Sequence, residues 1–175
     1  MVTLKQKVCS YLYRKIAINL PRTGTFFNMG TTVRVFLCRR IFRHCGLNIG
    51  IDKGVDFGLG YDVEIGNYSG LGINCKIPNG CIIGDYVMFG PNVEVMSRCT
   101  HEFTDTTIPI CLQGMCLIPK TTIIGDDVWI GKEVLVLGGK SIGSHSIIGA
   151  RSVVSKDIPE SVIAAGNPIR VIRYR

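Results

Sequence analysis

Residues 59–96 read LGYDVEIGNYSGLGINCKIPNGCIIGDYVMFGPNVEVM, with a large apolar residue at every sixth position: Leu59, Ile65, Leu71, Ile77, Ile83, Phe89 and Val95. Glycine follows at Gly60, Gly66, Gly72, Gly84 and Gly90. A small or branched residue stands four places after each start, at Val63, Ser69, Cys75, Cys81, Val87 and Val93. The beat returns at Ile118, Ile124, Ile130, Val136, Ile142, Ile148 and Val154. A period of six fits neither the helical period of about 3.6 nor the alternation of a strand. It predicts an all-β solenoid in which each hexapeptide forms one flat face of a prism. The large residue fills the axis, the small one fits beneath it, and glycine relieves the backbone at the corners. Three hexapeptides to a turn give roughly four to five turns.

The chain has 175 residues, enough for one domain with an appended segment. No stretch approaches the ~20 apolar residues of a membrane-spanning helix. Arg14 and Lys15 interrupt the apolar run that a secretory signal needs. Of the eight cysteines, Cys75 and Cys81 occupy the small inner slot of the repeat, so their expected role is packing. No Cys-x-x-Cys pair occurs, which speaks against a zinc site. Free thiols without an export signal point to the reducing cytoplasm.

The net charge of +7 is concentrated at one end. Residues 1–48 hold nine basic groups (Lys5, Lys7, Arg14, Lys15, Arg22, Arg34, Arg39, Arg40, Arg43) and no acid. Leu4, Val8, Leu12 and Ile16 step at helical spacing, as do Val33, Leu37 and Ile41, so two helices are expected, separated at Pro21 and Thr23-Gly24-Thr25. Such a basic amphipathic pair either caps the open end of the solenoid, with the Leu4 stripe packed on it, or lies on the inner, anionic face of a membrane. Residues 49–158 form the solenoid and 159–175 a tail. Between Val95 and Ile118 the beat breaks, so residues 97–117 are expected to project as a loop, the usual place for function.

The loop carries Thr-His-Glu-Phe (100–103) and Thr-Ile-Pro-Ile (107–110). Downstream come Ile-Ile-Gly-Asp-Asp-Val-Trp-Ile-Gly (123–131), Ile-Gly-Ala (148–150), Val-Ser-Lys-Asp-Ile-Pro (154–159) and Ala-Gly-Asn-Pro-Ile-Arg-Val-Ile-Arg (165–173). With these motifs the stretch from about Ile49 to Arg175 resembles the hexapeptide-repeat acyltransferases. The similar branch holds the galactoside and maltose O-acetyltransferases and the bacterial surface-polysaccharide O-acetyltransferases. The resemblance implies a left-handed parallel β-helix assembled as a homotrimer with three sites between subunits, and acetyl-CoA as acyl donor.

It also implies a role for His101. An imidazole with a pKa near ~6.5 accepts a proton at neutral pH and returns it within one turnover. In the family the corresponding histidine deprotonates the acceptor hydroxyl, which attacks the thioester. Glu102, Asp105 or a main-chain carbonyl is left to orient the ring. His145 reads as an exposed corner residue and His44 as surface or cap. Three histidines in a β-helix raise the zinc-dependent γ-class carbonic anhydrases, but that pattern needs two histidines close in sequence, so no metal is expected.

By the same resemblance Lys132 and Ala150 line the pantetheine arm, and Ser155, Lys156, Arg170 and Arg173 meet the nucleotide end. Trp129 flanks the thioester. Lys132 stands where the family usually has a small residue, and Arg151 where it often has glycine. Tyr68 and Asn74 fall in the acceptor region. Gly70 and Pro78 replace polar groups of the galactoside and maltose enzymes, which argues against those simple acceptors. The reading is an O-acetyltransferase acting on a saccharide hydroxyl of a capsule, exopolysaccharide or lipopolysaccharide precursor, with no nucleic-acid partner. Serine or an antibiotic is the alternative acceptor, and a non-catalytic scaffold the alternative class.

Overall fold

A computed structural model describes residues 2–21 and 29–175. The separator Thr23–Thr25 and Arg22 lie outside the described residues. Two-residue strands alternate with tight turns and stack into three sheets, the faces of a prism. The first face stacks His44–Cys45, Glu64–Ile65, Ile82–Ile83, Ile123–Ile124 and Ser141–Ile142. The second stacks Gly50–Ile51, Gly70–Leu71, Met88–Phe89, Trp129–Ile130, Ile147–Ile148 and Val162–Ala165, all parallel. The third stacks Glu94–Val95, Leu135–Val136 and Val153–Val154, extended through bridges from Asp56 to Lys76 to Glu94. The protein is thus a parallel β-solenoid. Among the described residues its third face has five rungs and its second has six. The six rungs of the second face exceed the four to five turns expected, because its first rung, Gly50–Ile51, precedes the legible beat and its last, Val162–Ala165, follows it.

In each short strand the second residue points to the axis. Ile51, Ile65, Leu71, Ile83, Ile124, Ile130, Val136, Ile142, Ile148 and Val154 are all buried. The register shows where the repeat slips. Glu64 pairs with Ile82, eighteen residues on, as three hexapeptides demand. Gly50 pairs with Gly70, twenty on, so the first turn carries two extra residues. The extra pair moves the beat: Phe57 fills the axis at 1% exposure, whereas Leu59 is 52% exposed. The last turn is two residues short, Ile147 pairing with Ile163.

The repeat glycines serve close approach between rungs. Neither Gly90 nor Gly131 has positive φ, yet a Cβ on Gly90 would lie 2.6 Å from the Lys132 nitrogen and one on Gly131 2.6 Å from the Ala150 nitrogen. Glycine holds some left-handed corners, among them Gly54, Gly60, Gly80 and Gly139 with φ between 72° and 80°, but others carry side chains, among them Tyr68, Asn74, Tyr86, Asn92, Asp127, Glu133, His145 and Arg151, with φ between 51° and 61°. That conformation is costly for side-chain-bearing residues. It is held by regular bonds to the preceding rung, such as the Tyr86 amide to the Asn67 carbonyl and the Asp127 amide to the Asp85 carbonyl, each 2.8 Å. Beside them runs a side-chain ladder: Asp85 accepts from the Asn67 amide (2.6 Å), and Asp126 from the Asp85 amide (2.8 Å).

The basic segment forms α1 (Leu4–Lys15) and α2 (Met29–Ile41), joined in part by the short turn Ala17–Asn19. A capping box between Thr3 and Gln6 starts α1. Both helices pack on the first turn of the solenoid. Tyr13 meets Phe57 with ring centroids 4.3 Å apart and donates its hydroxyl to the Val55 carbonyl at 2.9 Å. Arg34, fully buried, donates to the carbonyls of Ile51 (2.8 Å), Leu20 (3.0 Å), Pro21 (3.2 Å) and Ala17 (3.3 Å), tying both helical pieces to a rung. The packing face of α1 is Cys9, Ser10 and Tyr13, not the expected stripe. Leu4, Val8, Leu12 and Ile16 are all exposed, and on α2 Val33 faces out while Leu37 and Ile41 are buried. The stripe was misread because α1 carries apolar residues on both sides, and Tyr13, with a phenol that finds a buried carbonyl, took the inner one. Among the described residues no helix is long and apolar enough to cross a membrane. At the other end the tail turns back, and Arg170–Tyr174 pairs antiparallel with Val162–Ala165.

Candidate active site

The interruption after Val95 projects as a hairpin from the corner between the third and first faces. Cys99–His101 pairs antiparallel with Met115–Leu117, and the short α3 (Ile110–Gln113) sits at the tip. Its base is stitched by the Ile118 amide to the Arg98 carbonyl (2.8 Å) and by Arg98 Nη1 to the Pro119 carbonyl (3.2 Å). Lys120 pairs with Asp157, which also accepts the Ser141 amide at 2.8 Å. Ile82 pairs with Ile123, forty-one residues on, so the excursion adds twenty-three residues without disturbing the stack.

His101 is exposed on the first hairpin strand, opposite Met115. Its ring makes no hydrogen bond within the described residues. Neither acidic neighbour orients it. Glu102 Oε1 accepts from the Phe103 amide (3.0 Å), the Thr104 amide (3.1 Å) and the Thr104 hydroxyl (2.8 Å). Asp105 Oδ1 accepts from the Thr107 hydroxyl (2.6 Å) and amide (2.8 Å). The Thr104 and Thr107 hydroxyls hold these two carboxyls below their ordinary range. Both carboxylates build the loop's turns, each bonding the residues just after it.

A groove of about 440 Å³ lies on the other side of the prism, where the second face meets the third. It is lined by Trp129, Lys132 and Ala150 together with Gly90, Pro91, Gly131, Ile147 and Gly149. Trp129, 52% exposed, is the outward residue of its strand and lies between Met88 and Ile147 in register. Lys132 and Ala150 hold the same corner on consecutive rungs. Arg151 at that corner donates to Glu133 Oε2 at 2.6 Å, and Lys132 approaches Glu133 Oε1 at 3.8 Å. Arg151 thereby holds the Glu133 carboxyl below its usual range. The register continues outward from Trp129 through Ile147 and Ile163 to Arg173, so one row links the groove to the basic tail. Arg170 opens the same tail strand.

In the other direction the row runs from Trp129 through Met88 to Gly70 and Gly50. The two glycines leave a trough lined also by Ile51, Asp52, Leu71, Gly72 and Phe89. Tyr68 stands on the corner at one side, stacked on Tyr86 with centroids 5.3 Å apart and planes 4° apart. Asn74 stands on the corner at the other side, its amide donating to Asn92 Oδ1 at 3.3 Å.

The sequence-derived residues therefore fall into two groups. Trp129, Lys132, Ala150, Arg170 and Arg173 share the second face and its far corner, with Tyr68 and Asn74 along the same face. His101, Ser155 and Lys156 share the third–first corner, at and below the hairpin. Within one chain the prism stands between the groups. His44 lies on the first strand and His145 on a corner, its Nδ1 3.1 Å from Asp127 Oδ2. Among the described residues no three histidine, cysteine or acidic side chains cluster to hold a metal. Sequence reasoning missed Met88 and Ile147 as groove and trough walls. Their signal was available: each immediately precedes an axis residue, the outward position of the repeat.

A stacked prism with one projecting histidine hairpin and an apolar groove at a glycine corner defines a hexapeptide-repeat transferase. The family pattern "Bacterial transferase hexapeptide (six repeats)" matches residues 62–96 and 121–156. The galactoside O-acetyltransferase of Escherichia coli (strain K12) is 36% identical over 145 residues, covering 80% of this chain and 68% of that protein. A maltose O-acetyltransferase from Clostridium difficile 630 superposes with a TM-score of 0.77 at 30% identity, covering 97% of this chain and 86% of that one. A galactoside acetyltransferase solved in complex with coenzyme A gives 0.77 at 33% identity, over 98% and 79% of the two chains. The chain belongs to the hexapeptide-repeat acetyltransferases, on the branch of the galactoside and maltose O-acetyltransferases, and is an acyltransferase.

Proposed function

We propose that the protein transfers an acetyl group from acetyl-CoA to a hydroxyl of a saccharide, a precursor of a bacterial surface polysaccharide, in sites completed between chains of a homotrimer. The observation that carries this reading is the division of the candidate residues between two corners of one prism. The hairpin corner of one chain, with His101, Ser155 and Lys156, complements the groove corner of the next, with Trp129, Lys132 and Ala150. Coenzyme A then lies along the groove. Its pantetheine arm passes Ala150 and Gly131, and its phosphates meet Lys156, Arg170 and Arg173, whose charges suit phosphate oxygens. The acceptor occupies the trough between Tyr68 and Asn74, where small Gly50 and Gly70 admit a bulky ring.

The chemistry follows from these positions. The His101 ring takes the proton of the acceptor hydroxyl while its oxygen attacks the thioester carbonyl. The C–S bond breaks, and the imidazolium returns the proton to the departing thiolate. The unbonded ring of His101 is free to accept that proton. General-base assistance of this kind supplies about 10²–10⁴ in rate, and alignment supplies much of the remainder. The test is His101→Ala, assayed with acetyl-CoA and a panel of saccharide acceptors. The expected result is a fall in kcat of about 10²-fold or more with acetyl-CoA affinity unchanged. Near-normal turnover in the variant would remove His101 from the mechanism.

A further inference from the structure

Helix α1 has two apolar sides, and among the described residues only one is packed. At about 100° per residue, Leu4, Val8, Tyr11 and Leu12 fall in one arc opposite the buried Cys9, Ser10 and Tyr13. Their exposures are 77%, 50%, 64% and 39%. Lys15 projects within that arc, and Lys5, Lys7 and Arg14 flank it, all exposed. Lys7, Arg14 and Lys15 also surround a hollow of about 230 Å³ floored by Ser10, Tyr11 and Tyr61. No acidic residue occurs anywhere in residues 1–48.

From this arrangement we infer that the outer face of α1 seats the enzyme on an anionic membrane surface. Leu4, Val8 and Leu12 enter the boundary between headgroups and acyl chains, and the four cations contact lipid phosphates. An exposed apolar arc bordered by cations is the pattern that lies in such an interface, with attachment scaling with both buried apolar area and charge. Charge complementarity selects this occupant over a second copy. Packing the face on its own copy brings only positive groups together, with no carboxylate in the segment to answer them. Tyr13 anchors α1 from behind on Phe57 and the Val55 carbonyl, and Arg34 holds the Ala17–Asn19 turn that follows it, so the outer face is presented ready-made and its loading costs no refolding. The inference rests on neither His101 nor acetyl transfer.

The test is flotation of the full chain with vesicles of phosphatidylglycerol and phosphatidylcholine, and with phosphatidylcholine alone, at low and high salt. Two variants accompany it: Val8→Ser with Leu12→Ser, and Lys5→Gln with Lys7→Gln, Arg14→Gln and Lys15→Gln. All these positions are exposed, so circular dichroism and the oligomer mass are expected to match the parent. The expected result is salt-sensitive binding to anionic vesicles only. The charge variant should lose it by about 100-fold or more and the serine variant by at least about tenfold. Three outcomes overturn the proposal. The parent could ignore anionic vesicles at low salt, or the serine variant could bind as well as the parent. The third is a changed oligomer mass in the serine variant, which would make this face an interface between copies.

Discussion

Cys75 and Cys81 fill the small inner slot of the repeat, and both are buried. The Cys75 thiol donates to the Gly90 carbonyl at 3.2 Å. Burial pushes the Cys75 thiol up to about 11 and Cys81 up to about 12. Both therefore stay protonated and inert at neutral pH. A thiol that ionises near 9 in the unfolded chain and near 12 in the folded one favours the folded state fully below about pH 9. That contribution drains away as the pH rises toward about 12. Denaturant melts of Cys81→Ala should therefore show a modest loss at neutral pH, on the order of 1 kcal/mol from the cavity. Between about pH 9 and 11 its stability should fall less steeply than the parent's. Parallel pH profiles for the two proteins would contradict the assignment. The inner slot was readable from the sequence because its residues are small and recur. The corner residues were not: Tyr68, Asn74 and His145 adopt left-handed backbone without being glycine, and only bonds to neighbouring rungs hold them there.

Among the elements, the hairpin and the helices were legible as segments but not in their contacts. The beat identified the prism, yet Leu59 mimicked it so well that the two-residue slip beside Phe57 was invisible. A count of six depends on spacing alone, and the slip places another large apolar residue at the expected position. The 97–117 break identified the excursion, but the roles of Glu102 and Asp105 depended on the turns they close. The register across the excursion predicts its independence. Replacing residues 98–119 by a short linker should leave the solenoid's melting free energy within about 1 kcal/mol, since loop length enters closure entropy only logarithmically. Acetyl transfer should be lost altogether. A solenoid that failed to fold without the hairpin would show that the excursion supports the stack.

The whole molecule is a linear stack whose ends differ. One end is covered by two cationic helices, and the candidate residues are divided between corners of the remainder. The resemblance implies sites between subunits, but which residue stands on which corner depends on the stack, because sequence order places His101 and Trp129 close while the prism sets them on different sides. The division yields a test with subunits. His101→Ala chains and chains with Gly131→Trp, which fills the groove, should each be inactive alone. Refolded together, they should regain up to about one site in three if each site draws on two chains. No recovery would place the complete site within one chain. The antiparallel tail has its own consequence. A stack of parallel rungs is a growing template, and any extended segment arriving in register could lengthen it into a fibre. Arg170–Tyr174 runs the opposite way along Val162–Ala165, offering incoming parallel strands a mismatched hydrogen-bond pattern and two cations, Arg170 and Arg173. Deleting residues 170–175 should yield a particle that polymerises with rising concentration, visible as light scattering and thioflavin fluorescence. On that expectation residues 170–175 terminate the growing edge of the second face, one side of an otherwise extendable lattice.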